Sequence, residues 1–155
     1  MARYVVTHGL RNDGQDPRHK PEGIEQINAL RAGLPMISNI IIGTGRRFWE
    51  VYEILYLQEA SPFNIPVKIS PFCGSADSLL NGNSVTLVSG RVCPLTNYIG
   101  LESPRFDIWG WVGDQPNGTL FIAGAEFLLA LGLEKPAKGA LYKLDTGLKT
   151  CTLLP

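Results

Sequence analysis

The chain has 155 residues, 45% hydrophobic and 18% charged, with 14 basic and 14 acidic side chains that cancel. That length suits one domain with a core of its own and is short for two. The even charge argues against a nucleic-acid or anionic-membrane binder.

Tyr4-Val5-Val6 is a continuous apolar run, the pattern of a strand buried on both faces, and it runs into His8-Gly9. A polar loop over residues 10–20 follows. Pro21 and Glu22 suit the first turn of a helix, although Lys20 is a poor N-cap; Ile24, Ile27, Leu30 and Leu34 share one face, and Gly33 and Pro35 end it. Asn39–Ile42 reads as a second buried strand, leading into Gly43-Thr44-Gly45-Arg46-Arg47. In the helix after it, Phe48, Val51, Tyr52 and Leu55 fall at i, i+3, i+4 and i+7, a full core-facing stripe. Strand, helix, strand, helix predicts a parallel sheet with right-handed crossovers.

Residues 66–70 and 85–89 read as short strands, 73–83 as loop, and 95–100 as ambiguous. Residues 103–118, with Trp109 and Trp111 among glycines and prolines, predict an ordered loop anchored by its aromatics; were this a strand, the two tryptophans would face one side. Residues 119–123 predict a strand, Gly124-Ala125 a turn, and 126–131 a short helix closed by Gly132. Residues 140–144 and 148–153 form a predicted hairpin turned by Asp145-Thr146-Gly147, with Gly147 at positive φ. There is no repeat or linker. The expectation is one domain over residues 1–155, a three-layer α/β sandwich around a mostly parallel sheet, with the site at the strand C-termini where His8, Gly43 and Gly124 converge.

Three cysteines without a C-x-x-C pair and only two histidines, His8 and His19, give no metal pattern, so no metal or cofactor is expected. The opening apolar stretch is too brief for a signal peptide or a membrane span, and the expectation is a cytoplasmic chain with reduced thiols.

If the first two strands are parallel neighbours, one imidazole and two guanidinium groups meet at one end of the sheet, a phosphate site. Backbone amides of Gly43, Thr44 and Gly45 at a helix N-terminus would add to it, with Gly9 and Arg11 nearby. Each residue has a plainer reading: His8 bonded to a backbone carbonyl, Arg47 in a surface ion pair, Arg11 and Arg46 solvated. A dinucleotide or P-loop reading is weak, because Phe48 stands where a third glycine belongs and no Walker lysine follows.

His8-Gly9 after a strand, the helix Pro21-Glu22-Gly23-Ile24-Glu25-Gln26, and Gly43-Thr44-Gly45-Arg46-Arg47 opening a helix that ends Glu53-Ile54-Leu55 resemble the histidine phosphatase superfamily, the phosphoglycerate-mutase-like group. Leu120–Ala125 and Gly139-Ala140-Leu141-Tyr142 resemble its later strands. The resemblance implies His8 as phosphoryl-accepting nucleophile and Arg47 as the helix arginine. It also implies losses: the family's first arginine is Thr7, its Ser-Pro pair is Gly43-Thr44, and its second histidine is Gly124. The general acid has no clear counterpart; Asp77 and Glu102 are two candidates.

The reading that follows is a diverged member with impaired or absent phosphatase activity that binds a small phosphorylated molecule or an inorganic anion through His8, Gly9, Arg11, Thr44, Gly45, Arg46 and Arg47. The alternative is a working phosphomonoesterase with Arg11 or Arg46 beside the phosphate. A purely structural protein would instead show a cavity blocked by apolar groups or by Glu126.

Overall fold

A computed structural model describes residues 2–14, 18–57, 65–74, 84–86, 92–94 and 107–155. Strand β1 (Arg3–Thr7) leads through a loop into helix α1 (Pro21–Leu30), which tightens to a 3-10 turn over Arg31–Gly33. Pro21 stands in the first turn of α1, where its missing N–H costs nothing, and Lys20 supplies no side-chain cap. Strand β2 (Asn39–Ile42) leads into helix α2 (Arg46–Tyr52), continued by a π turn over Glu53–Leu57. Strand β3 (Val67–Ile69) ends in a 3-10 turn at Pro71–Cys73. There follow β4 (Ser84–Thr86), β5 (Val92–Pro94), helix α3 (Ile108–Asp114), β6 (Thr119–Ala123), helix α4 (Ala125–Ala130), β7 (Leu141–Asp145) and β8 (Thr150–Leu153).

Six of these strands form one sheet in the order β3-β2-β6-β1-β7-β8. The first four run parallel, β7 runs antiparallel to β1, and β8 runs antiparallel to β7. Side chains alternate between two cores, as the pleat requires. Val6, Ile40, Ile42, Leu120 and Ile122 pack on one face with Ile27 of α1 and Phe48 and Val51 of α2. Val5, Ile41, Phe121 and Ala123 pack on the other with Trp109 and Val112 of α3 and Phe127 and Leu128 of α4. The result is three layers around a mostly parallel sheet. Among the described residues, no helix is long and apolar enough to cross a membrane.

Several expectations change. β1 and β2 are not neighbours, because β6 lies between them and pairs with both. Within residues 103–118, expected to be a loop, Ile108–Asp114 is a helix. Trp109 and Trp111 therefore point in different directions. Trp109 donates its indole N–H to the Leu131 carbonyl at 3.2 Å, while Trp111 packs edge-on against Phe72, with centroids 5.6 Å apart. Both still anchor the segment to the core. The strand expected at 85–89 is described as Ser84–Thr86, paired with β5 in a separate two-stranded sheet that the sequence reading lacked; residues 87–89 and 95–100 lie outside the described residues. At the last hairpin, Lys149 and not Gly147 takes positive φ, at 55°. The Asp145 carboxylate accepts from the N–H groups of Gly147 and Leu148, both at 2.9 Å, and closes that turn without left-handed glycine.

Candidate functional site

Because β2, β6 and β1 are parallel and adjacent in that order, their C-terminal ends bring Gly43, Gly124 and His8 to one edge of the sheet. His8 follows directly on β1 and is 8% exposed. Its Nδ1 lies 2.8 Å from the Gly9 carbonyl. A carbonyl only accepts, so Nδ1 carries the proton and Nε2 keeps its lone pair. The ring is held edge-on against Phe48, with centroids 5.8 Å apart.

Burial lowers the His8 pKa from 6.5 to about 4; the charges of Arg47 and Arg11 and the neighbouring His19 push the same way, and the bond to Gly9 opposes them. The ring is therefore neutral at pH 7, the state in which imidazole attacks phosphorus. Between pH 6.5 and 4 the unfolded chain takes up a proton at this histidine that the folded chain refuses, so stability falls as pH falls through that window. The expected loss is at most about 3 kcal/mol, read as the difference in pH dependence of urea midpoints between wild type and His8→Gln.

His8, Arg11 and Arg47 line one side of a cavity of about 310 Å³. Phe48, Phe72, Cys73 and Gly74 also line it, and Gly124, Ala125 and Glu126 lie at the start of α4. The Arg47 guanidinium carbon stands 4.4 Å from the centre of the Phe48 ring, which holds it by a cation–π contact. Burial pushes the Cys73 thiol far above its usual pKa, so it stays protonated and is no rival nucleophile. With a neutral His8, the described lining carries two positive charges and one negative, a net attraction for an anion. Among the described residues, no cluster of three or more His, Cys, Asp or Glu side chains is placed to hold a metal ion.

Sequence reasoning passed over His19, which is 4% exposed and stands behind His8, ring centroids 6.1 Å apart. Its Nε2 accepts from the Gly9 N–H at 2.9 Å. Glu50 of α2, 1% exposed, accepts from the His19 backbone N–H at 2.9 Å and brings the same oxygen to 3.4 Å from His19 Nδ1, an approach without good hydrogen-bond geometry.

No family profile and no curated protein matches the sequence. Solved structures do match. The chain is similar to TTHB049 from Thermus thermophilus at 14% identity and TM-score 0.57, covering 100% of this chain and 97% of that one. It is similar to phosphoglycerate mutase from the same organism with the same four values. A phosphoserine phosphatase from Entamoeba histolytica, solved in complex with 3-phosphoglyceric acid, matches at 12% identity and TM-score 0.55, over 99% and 94% of the two chains. The chain shares its fold with these structures, a phosphoglycerate mutase and a phosphoserine phosphatase among them.

Within this fold the structure brings His8, Arg11 and Arg47 together at one cavity. Arg46, Thr44, Gly45 and Gly9 are not among the described residues lining the cavity. The Gly9 N–H is spent on His19. Two amides of the expected cradle are spent as well: Gly43 N–H donates to Ile122 at 3.2 Å and Thr44 N–H to Gly74 at 2.7 Å. Thr7, at the family's first arginine, donates its hydroxyl to the Ala137 carbonyl at 2.7 Å and accepts from the Ala140 N–H at 3.0 Å, locking the approach to β7. Gly124 and Ala125 bring no side-chain donor to the rim. Glu126 does line the cavity but does not fill it. Asp77 and Glu102 lie outside the described residues.

Proposed function

We propose that this chain binds a small phosphorylated molecule or inorganic phosphate in the His8 cavity, and that its phosphatase activity is strongly attenuated. The observation that carries this reading is a neutral His8, whose Nε2 keeps its lone pair, sharing a cavity with Arg11 and Arg47 while Thr7, Gly124 and Ala125 supply no side-chain donor to it. Phosphoryl transfer needs its non-bridging oxygens held as charge builds, and each absent donor costs on the order of 10²–10³ in rate. Binding asks less, because two guanidinium groups suffice to hold an anion. The 3-phosphoglyceric acid held by the Entamoeba phosphatase is a ligand of the expected class.

The test is orthophosphate binding by calorimetry beside hydrolysis of an aryl phosphate. Wild type is expected to bind phosphate and to turn over slowly. Arg47→Ala is expected to weaken binding roughly 10- to 100-fold, the worth of a charge-assisted hydrogen bond. His8→Ala is expected to abolish turnover. Neither binding at millimolar phosphate nor any His8-dependent turnover would overturn the reading.

One observation favours a second reading, a working phosphomonoesterase: Arg11 reaches the cavity and can stand in for a lost cation, and Glu126 offers a carboxyl to protonate the leaving oxygen. Glu126→Gln separates the two. Under attenuated binding, removing its negative charge tightens phosphate about two- to fivefold and leaves the residual rate alone. Under turnover, it slows alkyl phosphates, whose leaving group needs a proton, much more than aryl phosphates.

A further inference from the structure

We infer that His19, held by Glu50, is a positioning residue for His8: acting through Gly9, it fixes the tautomer in which the His8 Nε2 lone pair is free to meet phosphorus. The inference rests on the proposed role of the His8 cavity and extends it to residues outside the cavity.

The Gly9 backbone is closely packed. No side chain fits there, since a Cβ would come 2.6 Å from the Gly23 carbonyl and 2.8 Å from Gln26 Oε1. Glycine is the residue whose peptide planes turn most freely. Yet the Gly9 carbonyl must point at His8 Nδ1 if that nitrogen is to keep its proton. Both flanking peptides are therefore tied. In the peptide before Gly9, the His8 carbonyl accepts from Gly139 N–H at 2.7 Å and the Gly9 N–H donates to His19 Nε2 at 2.9 Å. In the peptide after it, the Leu10 N–H donates to Gln26 Oε1 at 2.8 Å.

The His19 tie is directional. A backbone N–H only donates, so His19 Nε2 must be unprotonated and the ring proton must sit on Nδ1, facing Glu50. Glu50 also holds the His19 backbone N–H. Burying a carboxylate and an imidazole away from water is costly unless they are paired. Here Glu50 Oε1 faces His19 Nδ1 at 3.4 Å without hydrogen-bond geometry, and the ring's hydrogen bond among the described residues is the one from the amide beside the candidate nucleophile. The hydrogen bonds run from the His19 ring through Gly9 to His8, and Glu50 holds His19 by its backbone N–H. In each histidine the proton lies on Nδ1 and the lone pair on Nε2.

The tautomers are read by ¹⁵N NMR of the imidazole nitrogens at pH 7. In wild type, both histidines are expected as the Nδ1–H form. His19→Phe keeps the bulk and loses the acceptor; His8 is then expected to become a mixture of tautomers, with aryl-phosphate kcat lower by on the order of tenfold and KM within about twofold. His19→Gln, whose carbonyl oxygen can still accept from Gly9, is expected to restore the single His8 tautomer and most of kcat. A wild-type His19 protonated on Nε2 overturns the inference without any variant, so poor folding of His19→Phe cannot shelter it. So does a His8 that keeps one tautomer in folded His19→Phe, or a mixture that persists in His19→Gln. Loss of phosphate binding in wild type would remove the proposed function and leave the tautomer result standing. A mixed His8 tautomer in a wild type that binds phosphate would remove the positioning role alone.

Discussion

Ala125→His is expected to raise aryl-phosphate hydrolysis by between tenfold and about 10²-fold. Among the described residues the cavity is lined by His8 and two arginines, and Ala125, which opens helix α4 beside Glu126, adds no side-chain donor. Ala125 is exposed, so a larger side chain meets solvent and not core. An imidazole there would donate to a non-bridging oxygen as charge develops. One preorganised donor is worth on the order of 10²–10³, and a newly added ring that rotates freely recovers only part of that. The neighbouring position is a worse place for it. A Cβ at Gly124 lies 3.3 Å from the Phe48 ring and 3.8 Å from the Cys73 carbonyl, so Gly124→His must displace the cavity floor before it helps. Thr7→Arg fails for another reason, because it discards the hydroxyl that ties Ala137 and Ala140. The check is steady-state kinetics of Ala125→His with and without His8→Ala. A gain that vanishes in the double variant places the phosphoryl group between residues 8 and 125. No gain in a folded protein would mean that it binds elsewhere.

The central strands were legible because burial on both faces leaves a continuous apolar run in each, with polar residues only at their ends: β2 and β6 have the predicted limits, and β1 differs only at its ends. Their neighbours were not legible. Strand order depends on which long-range pairing wins, and no local pattern shows that β6, some 80 residues after β2, inserts beside it. Helix α3 escaped because Trp-Gly-Trp-Val-Gly puts two poor helix formers into seven residues, and packing of Trp109 and Val112 overrides that weakness. At the site, His8 and Arg47 were singled out from their places after a strand and at the start of a helix, whereas Arg11, in the loop past His8, had solvation as its plainer reading and lines the cavity. Two amides of the expected cradle, those of Gly43 and Thr44, were not legible as spent, because Ile122 and Gly74 supply their acceptors from other elements. His19 carried almost no signal. Between Arg18 and Lys20 it looks solvated, and its partner Glu50 stands off the apolar stripe of its helix. The one hint was that Glu50 lies between Trp49 and Val51, a carboxylate flanked by large apolar residues.

Phe48→Ala is expected to cost about 3–5 kcal/mol, the usual loss for truncating a buried aromatic, and to lower Tm by roughly 6–20 °C in a chain of this size. Phe48 is fully buried, and its ring contributes to the core between α2 and the sheet and also lines the cavity. It touches both His8 and the Arg47 guanidinium. Water entering the space left by the ring would relieve the burial that is the main cause of the low His8 pKa, so that pKa is expected to climb from about 4 toward 6.5. Gly74 provides an internal check. A Cβ there would lie 2.4 Å from the Phe48 ring, and its φ of +148° also disfavours a side chain. Gly74→Ala should therefore destabilise strongly alone and less in the Phe48→Ala background, where only the backbone penalty remains. Denaturant melts of the two single variants and the double variant give that coupling, and NMR titration of His8 gives the pKa. Strict additivity would mean that the ring and Gly74 do not share the cavity floor. A His8 pKa still near 4 in Phe48→Ala would mean that other groups keep water from the imidazole, leaving Phe48 a part of the core alone.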